Sequence, residues 1–441
     1  MKEKVKEVVQ KINALSEKKH LRVISHHDTD GITSAAIFSR ALHRWNKKFT
    51  LQIVKNLDKP FIDSLSEKEA IIFLDLASGS IPYLAEKNTE VIIIDHHELS
   101  LQAIPPNITI LNPHLLSEEP CSGAALAYKC AREISPLNAD LSTLAGIGMI
   151  GDLFDSSENK HLAELIKEAQ VTLKKGLLLY PATRPLDKTL EYSTSFYIPG
   201  VTGSFKGTLE LLRDANIERA QNGQFKSLAD LSEEEMSHLV TAIMLRRIGQ
   251  DTSASMIGNL YLVKHLDHVE DAREISAMIN ACSRMGYSDV ALNFCLGNRN
   301  AKKEADRIYV NYKQNIAAAL KYISESSKIT GKNYTIINAQ DKIKDTIIGT
   351  AASIMSFSPL YPEGTIIVAM AYDQDKIKVS ARLAGRKGRN VREILTKALI
   401  PIKGEVGGHP NAAGALISKE NESEFIEELR KILDIDLIKV A

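Results

Sequence analysis

The apolar positions of this chain change their period as it runs. Val5, Val8, Val9, Ile12 and Leu15 recur at helical spacing and predict an amphipathic helix over residues 4–18. Short apolar runs follow at 21–25, 49–54, 70–74 and 91–94, with helical segments at 32–45 and 121–134. Strands with continuous apolar runs are buried on both faces, so the alternation predicts an α/β domain with a parallel sheet. A further apolar segment, 141–151, runs into Asp152. Beyond it the pattern loosens. Residues 156–190 read as helix and loop, 195–204 as a structured turn with Pro199, Gly200 and Gly203, and 205–290 as mostly helical. One long helix is predicted over 302–328, and strand–helix alternation returns over 333–441. The expected division is 1–190, a parallel-sheet α/β domain; 191–330, a mostly helical insertion ending in a connecting helix; and 331–441, a smaller α/β domain.

In open parallel sheets, ligands sit at the carboxyl ends of the strands. Asp28 and Asp30 lie there, in His26-His27-Asp28-Thr29-Asp30-Gly31, where Gly31 is expected to turn the chain tightly. Asp75 follows the 70–74 run, and Asp95-His96-His97 follows Val91–Ile94. Asp152 stands among glycines, with Asp155 as a second candidate one turn on. Each piece alone has a plain structural reading: an aspartate before a helix is a good N-cap, for example. Together they place at least four aspartates and two histidines within about 130 residues. Mixed oxygen and nitrogen donors suit a divalent ion such as manganese. The absence of cysteine from the set argues against structural zinc. Two such ions about 3.5–4 Å apart would clamp a phosphoryl group, and Asp75 is placed to bridge them. Of two adjacent histidines, one can bind metal while the other faces substrate.

Composition narrows the class. Of the 441 residues, 55 are Lys or Arg and 55 Asp or Glu, a balance that argues against a nonspecific nucleic-acid coat but allows a local basic groove. Cys121, Cys130, Cys282 and Cys295 form no C-x-x-C pair and read as buried residues in a reducing compartment. The first residues form a charged helix rather than a secretory signal, and no apolar stretch approaches the ~20 residues of a membrane span. A cytoplasmic protein with no membrane partner is expected. Aromatic residues are 6% of the chain, with Trp45 the sole tryptophan, so no large base-stacking platform is expected.

The last domain adds candidate substrate contacts. In GEVGGHPNAAGA, Gly407 and Gly408 expose backbone N–H groups to an anion, while His409 and Asn411 add side-chain hydrogen bonds. Arg382 is predicted on a strand beside that loop and could grip phosphate. Arg386, Lys387 and Arg389 form either a basic track or a solvated loop. Asn280 and Arg284 in NACSRMG are further candidates.

At these residues the sequence resembles the DHH phosphoesterase superfamily. Its name motif is Asp95-His96-His97, its first motif His26 to Gly31, and its second and fourth motif aspartates match Asp75 and Asp152. Residues 407–415 resemble the glycine-rich signature of the DHH-associated domain. Within the superfamily, YIPGVTGS, NACSRMGYSDVALNFCLGNR and the long helix after them are similar to archaeal RecJ-like single-strand exonucleases. The resemblance implies two divalent ions, manganese before magnesium, held by His26, Asp28, Asp30, Asp75, His96 and Asp152, with Asp75 bridging. It implies that His97 contacts the scissile phosphate and that Asp95 orients a neighbouring ligand. The implied activity is removal of mononucleotides from single-stranded DNA or RNA in replication or repair, beside a helicase component. Two alternatives share the core: an oligoribonuclease or cyclic-dinucleotide phosphodiesterase, and a replisome scaffold with an inherited DHH core.

Overall fold

The computed structural model describes residues 1–99, 103–154, 159–193, 197–247, 256–358, 360–385, 387–402 and 404–435. Asp155, Ser195 and Arg386 lie outside the described residues. The chain divides into two compact units, Met1–Tyr309 and Val310–Ala441.

The first unit opens with α1 (Lys2–Ser16), β1 (Leu21–His26), α2 (Thr29–Arg44), β2 (Phe49–Val54), α3 (Lys59–Ser64), β3 (Ala70–Leu74), α4 (Ile81–Ala85), β4 (Val91–Ile94) and β5 (Ile108–Leu111). The five strands form one parallel sheet in the order β2-β1-β3-β4-β5. All five carboxyl ends therefore lie along one edge. On one face Ile71, Phe73, Val91 and Ile93 pack against Ile62, Ile81 and Leu84 from α3 and α4. Each such fully buried side chain contributes about 1.5–3 kcal/mol. Helix α2 packs against β1, and also against α6 (Gly123–Ile134) and α7 (Ser142–Gly151), which follow the short α5 (Pro113–Leu116). Strand β5 was not foreseen: ITIL is only four residues long and follows a proline pair.

The rest of the unit adds strands to the mostly helical middle that was expected. After α8 (Lys160–Glu168) comes β6 (Thr172–Leu177), within the segment expected to be helix and loop. Helices α9 (Leu186–Glu191) and α10 (Phe205–Asp214), a hairpin of β7 (Ala220–Gln221) and β8 (Gln224–Phe225), and α11 (Glu233–Arg246) follow. Strands β9 (Ile257–His265) and β10 (His268–Asp271) then complete an antiparallel sheet, β10-β9-β6. Strand β6, TLKKGL, alternates poorly because it is a half-exposed edge, which hides its period. Helices α12 (Ala272–Arg284) and α13 (Ser288–Cys295) return to pack on α2.

The long helix α14 (Arg299–Glu325) contains the boundary between the units. The second unit has β11 (Ile329–Gly331), β12 (Tyr334–Asn338), α15 (Asp345–Ser356), β13 (Ile366–Asp373), β14 (Lys376–Leu383), α16 (Val391–Ala398), β15 (Glu405–His409), β16 (Ala412–Ser418) and α17 (Glu422–Leu433). Its sheet runs β11-β12-β13-β14-β16-β15, with only β12 and β13 parallel. All four cysteines are free and buried, as expected. Among the described residues no helix is long and apolar enough to cross a membrane.

Candidate metal centre

The carboxyl edge of the five-stranded sheet collects the acidic and imidazole side chains. His26 ends β1, Asp75 follows β3, and Asp95, His96 and His97 follow β4. Asp28 is the N-cap of α2 and Asp152 the C-cap of α7. Asp75 is held at φ 59° and Ala77 at φ 89°, both left-handed. For residues with a Cβ this costs about 1–2 kcal/mol, least for Asp and Asn. The Asp75 N–H donates to Ile94 O at 2.9 Å.

Helix α2 begins inside the first motif. The Gly31 N–H donates to Asp28 Oδ1 at 2.9 Å, and the Thr29 N–H to Asn280 Oδ1 at 2.9 Å. Asp28 thus caps the helix with one oxygen and turns the other toward His26. The expected tight turn at Gly31 is corrected: Gly31 lies in the helix, and a Cβ there would sit 2.3 Å from His26 O. Close approach, not a turn, demands the glycine. Asn280, a candidate substrate contact, caps α2 through this Thr29 bond.

Six side chains converge. His26 Nδ1 lies 3.0 Å from Asp28 Oδ2 and 3.6 Å from Asp75 Oδ2. His96 Nε2 lies 3.2 Å from Asp75 Oδ1, 3.3 Å from Asp152 Oδ2 and 3.7 Å from Asp30 Oδ2. The two oxygens of Asp75 therefore face two different groups: His26 with Asp28, and His96 with Asp30 and Asp152. In each group the donor atoms lie within 4.8 Å of one another. Asp75 is 1% exposed, and among the described residues neither of its oxygens has an aligned hydrogen-bond partner, nor does His26 Nδ1.

The charges are crowded. Burial, then the charges of Asp30 and Asp28, push the Asp75 carboxyl well above its usual range. Burial and Asp30 likewise raise Asp152 to about 7. Burial would lower both histidines, but the nearby carboxylates outweigh it. They hold His26 well above its ordinary value and raise His96 to about 10. Burial also opposes the Asp28 charge, yet His26 beside it holds that carboxyl well below its usual range. A buried carboxylate without hydrogen bonds, among other acids, is what a cation would satisfy. The donor set fits a divalent ion that accepts imidazole and carboxylate.

Asp95 has a different task. It is fully buried, and Oδ1 accepts from the His96 N–H at 2.8 Å while Oδ2 accepts from the Ser78 N–H at 2.9 Å. Burial alone would raise its pKa, but the His97 and Ser78 hydrogen bonds hold it well below the usual range. Ionised Asp95 can only accept, so His97 Nδ1, 2.7 Å from Oδ1, carries the proton. This leaves Nε2 of His97, a side chain 55% exposed, turned away from Asp95. The buried Asn112 side chain donates to His97 O at 2.9 Å and fixes the loop.

Small residues make the close approach feasible. Asp30 accepts from the Gly123 and Ala124 N–H groups at 2.6 and 2.9 Å, at the start of α6. A Cβ on Gly123 would lie 2.7 Å from Asp75 Cβ, and one on Gly148 2.9 Å from Asp30 Oδ1. Gly123, Asn112 and the capping role of Asn280 were not apparent in the sequence. The available signals were Ser122-Gly123 opening a small-residue run and Asn112 directly before Pro113.

In the second unit, β15 and β16 pair as a hairpin through Pro410 and Asn411, and Arg382 on β14 stands opposite Ala412. His409 and Asn411 are exposed. Gly408 has φ 116°, and a Cβ there would meet Ala412 O at 2.4 Å, whereas Gly407 has open space. Arg382 is partly buried: Nε donates to Ser353 Oγ at 2.8 Å and Nη1 to Ala381 O at 2.9 Å. Arg389, for which a basic track and a solvated loop were both open, donates to Ile432 O and Leu433 O at the end of α17.

Three family models match the chain: the N-terminal domain of the DHH family over residues 20–151, the DHH-CID domain over 179–261 and the DHHA1 domain over 331–434. A Methanocaldococcus jannaschii protein described as uncharacterized is 29% identical over 455 residues, covering 98% of this chain and 99% of that protein. A putative SPbeta prophage-derived single-strand DNA-specific exonuclease of Bacillus subtilis is 23% identical over 435 residues, or 93% of this chain and 65% of that protein. The fold is similar to RecJ from Thermus thermophilus, solved with Mn2+ (TM-score 0.62, 18% identity). That match covers 98% of this chain but only 55% of the RecJ chain. It is also similar to CDC45 from Entamoeba histolytica (TM-score 0.66, 13% identity), covering 98% of this chain and 99% of that one.

Proposed function

The chain belongs to the DHH family of phosphoesterases, and on that premise we propose that it is a metal-dependent exonuclease that releases mononucleotides from single-stranded DNA or RNA. The observation that carries the reading is Asp75. A buried carboxylate aims one oxygen at each of two donor groups and has no hydrogen bond to either. We assign His26, Asp28 and Asp75 to one divalent ion, and Asp75, Asp30, His96 and Asp152 to the other. Manganese is preferred to magnesium because each group includes an imidazole. When bound, such ions neutralise a phosphodiester and lower the pKa of a coordinated water.

The protein groups do the rest. Asp95 keeps His97 in one tautomer, so that Nε2 is presented to the scissile phosphate in a fixed orientation. The left-handed Asp75 and the absent Cβ atoms at Gly123 and Gly148 keep the donors close before any ion arrives. In the second unit, the exposed His409 and Asn411 and the backbone at Gly407 and Gly408 are assigned to substrate phosphate, with Arg382 beside them on β14. A place in replication or repair, beside a helicase component, belongs to this reading through the resemblance to RecJ-like enzymes.

The test is digestion of single strands of DNA and RNA labelled at the 5′ or the 3′ end, alongside dinucleotides, with manganese or with chelator. Progressive release of mononucleotides only with metal is expected. Activity confined to dinucleotides would replace the reading with a small-substrate phosphodiesterase. The likeness in fold to CDC45 favours a second reading, a scaffold with an inherited core. The full donor set speaks against it, and absence of all hydrolysis together with binding of a helicase component would establish it.

A further inference from the structure

The chain is poor in aromatic residues, yet those it exposes are concentrated. Among the described residues seven Phe or Tyr residues are exposed by about two fifths or more, and four of them, Tyr192, Tyr197, Phe205 and Phe225, come from the stretch 192–225. Leucines of the same stretch, Leu211 and Leu212, are buried in the core beneath.

Cations link three of these rings. Lys188 Nζ lies 5.4 Å from the Tyr192 ring and 5.1 Å from Phe205. The Arg219 guanidinium lies 5.4 Å from Phe205 and 4.8 Å from Phe225. The result is a continuous series: Tyr192, Lys188, Phe205, Arg219, Phe225. Both cations are pinned, Arg219 by the buried Asp187 (Nε at 2.9 Å, Nη2 at 2.8 Å) and Lys188 by Glu191 at 2.9 Å. The adjoining β7–β8 hairpin turns through Asn222 and Gly223 and holds exposed amides at Gln221, Asn222 and Gln224.

We propose that this surface is a binding site for single-stranded nucleic acid, which stacks bases on Tyr192, Phe205 and Phe225 with Lys188 and Arg219 between them. The ligand class rests on the exonuclease reading; the site itself lies outside the metal centre. A protein-docking patch is built around one desolvated apolar centre. Here cations divide the apolar surface into ring-sized pieces, the arrangement that receives successive bases. Because Asp187 and Glu191 already neutralise both cations, stacking carries the interaction more than charge does. Its contribution should survive added salt, unlike phosphate contacts.

The test uses the full chain. Binding of an oligothymidine of about 20 nucleotides, longer than one single-strand site, is followed by fluorescence anisotropy in chelator, where no cleavage occurs. Tyr192→Ala with Phe225→Ala is expected to weaken binding at least tenfold, at low and at high salt. Phe225→Trp is expected to bind as the native protein does, and manganese-dependent hydrolysis of a dinucleotide is expected to be unchanged in every variant. Both replaced side chains are more than half exposed, so folding is not at stake. Unchanged affinity of the double variant overturns the proposal, and would be the result if the patch holds a protein instead. If the native chain hydrolyses no nucleic acid, the exonuclease reading fails, while the anisotropy still judges the surface by the same criterion.

Discussion

Replacing Asp75 by asparagine separates the metal centre from the fold. The carboxylate is buried, left-handed, crowded by Asp28 and Asp30, and without a hydrogen-bond partner among the described residues. Asparagine keeps its shape and tolerates the same backbone conformation, so the metal-free protein should keep its stability. What should disappear is the stabilisation that metal provides. An ion present at 100 times its Kd stabilises a folded protein by about 2.7 kcal/mol. If the first unit, Met1–Tyr309, unfolds as one, its unfolding entropy is about 650 cal/mol/K, and the gain corresponds to about 4 °C in Tm. Calorimetry with manganese and with chelator should show this shift in the native protein and none in D75N. Hydrolysis of a labelled strand should fall about a thousand-fold or more, since the bridge underlies ~4 kcal/mol of transition-state stabilisation. A variant that kept the manganese shift and hydrolysed within tenfold of the native rate would refute the bridging role.

Other outcomes follow from the same geometry. Gly123→Ala places a methyl group 2.7 Å from Asp75 Cβ and should cost about 1–3 kcal/mol of stability while weakening metal binding; an unaltered manganese titration would count against the packing argument. His97→Gln should retain the metal-dependent Tm shift but lose turnover by about 10²–10⁴-fold, as the proposed assignment of the imidazole to substrate requires; loss of the shift would instead put His97 among the metal ligands with its neighbours Asp75, Asp95 and His96. Metal affinity should rise with pH from about 6 to about 10, more steeply below 7 than above it. At low pH Asp152, raised to about 7, stays neutral and His96, raised to about 10, stays charged, and both must lose protons to bind a cation. Calorimetric titration at several pH values measures this, and a flat profile would contradict the crowded-charge account.

The contribution of the sequence and that of the tertiary structure divide along physical lines. Continuous apolar runs before Asp75 and Asp95 determined a buried parallel sheet and put those residues at its carboxyl edge, because strands buried on both faces leave only their ends for polar groups. The same pattern could not reveal β6, an exposed edge strand without clear alternation, or β5, too short to show a period. The donor residues were legible because their chemistry is local and their spacing distinctive. Their division of labour was not. That Asp95 is consumed by His97 and Ser78, and that Asn280 caps α2 from 251 residues away, depends on which strands and helices come to lie side by side. So does the need for glycine at 123 and 148, where two helices meet the acids too closely for a Cβ. Periodicity records which face of an element is buried. Only the packed structure decides what each polar atom meets there, and for Asp75 it left two oxygens facing two donor groups with no aligned hydrogen bond to either among the described residues.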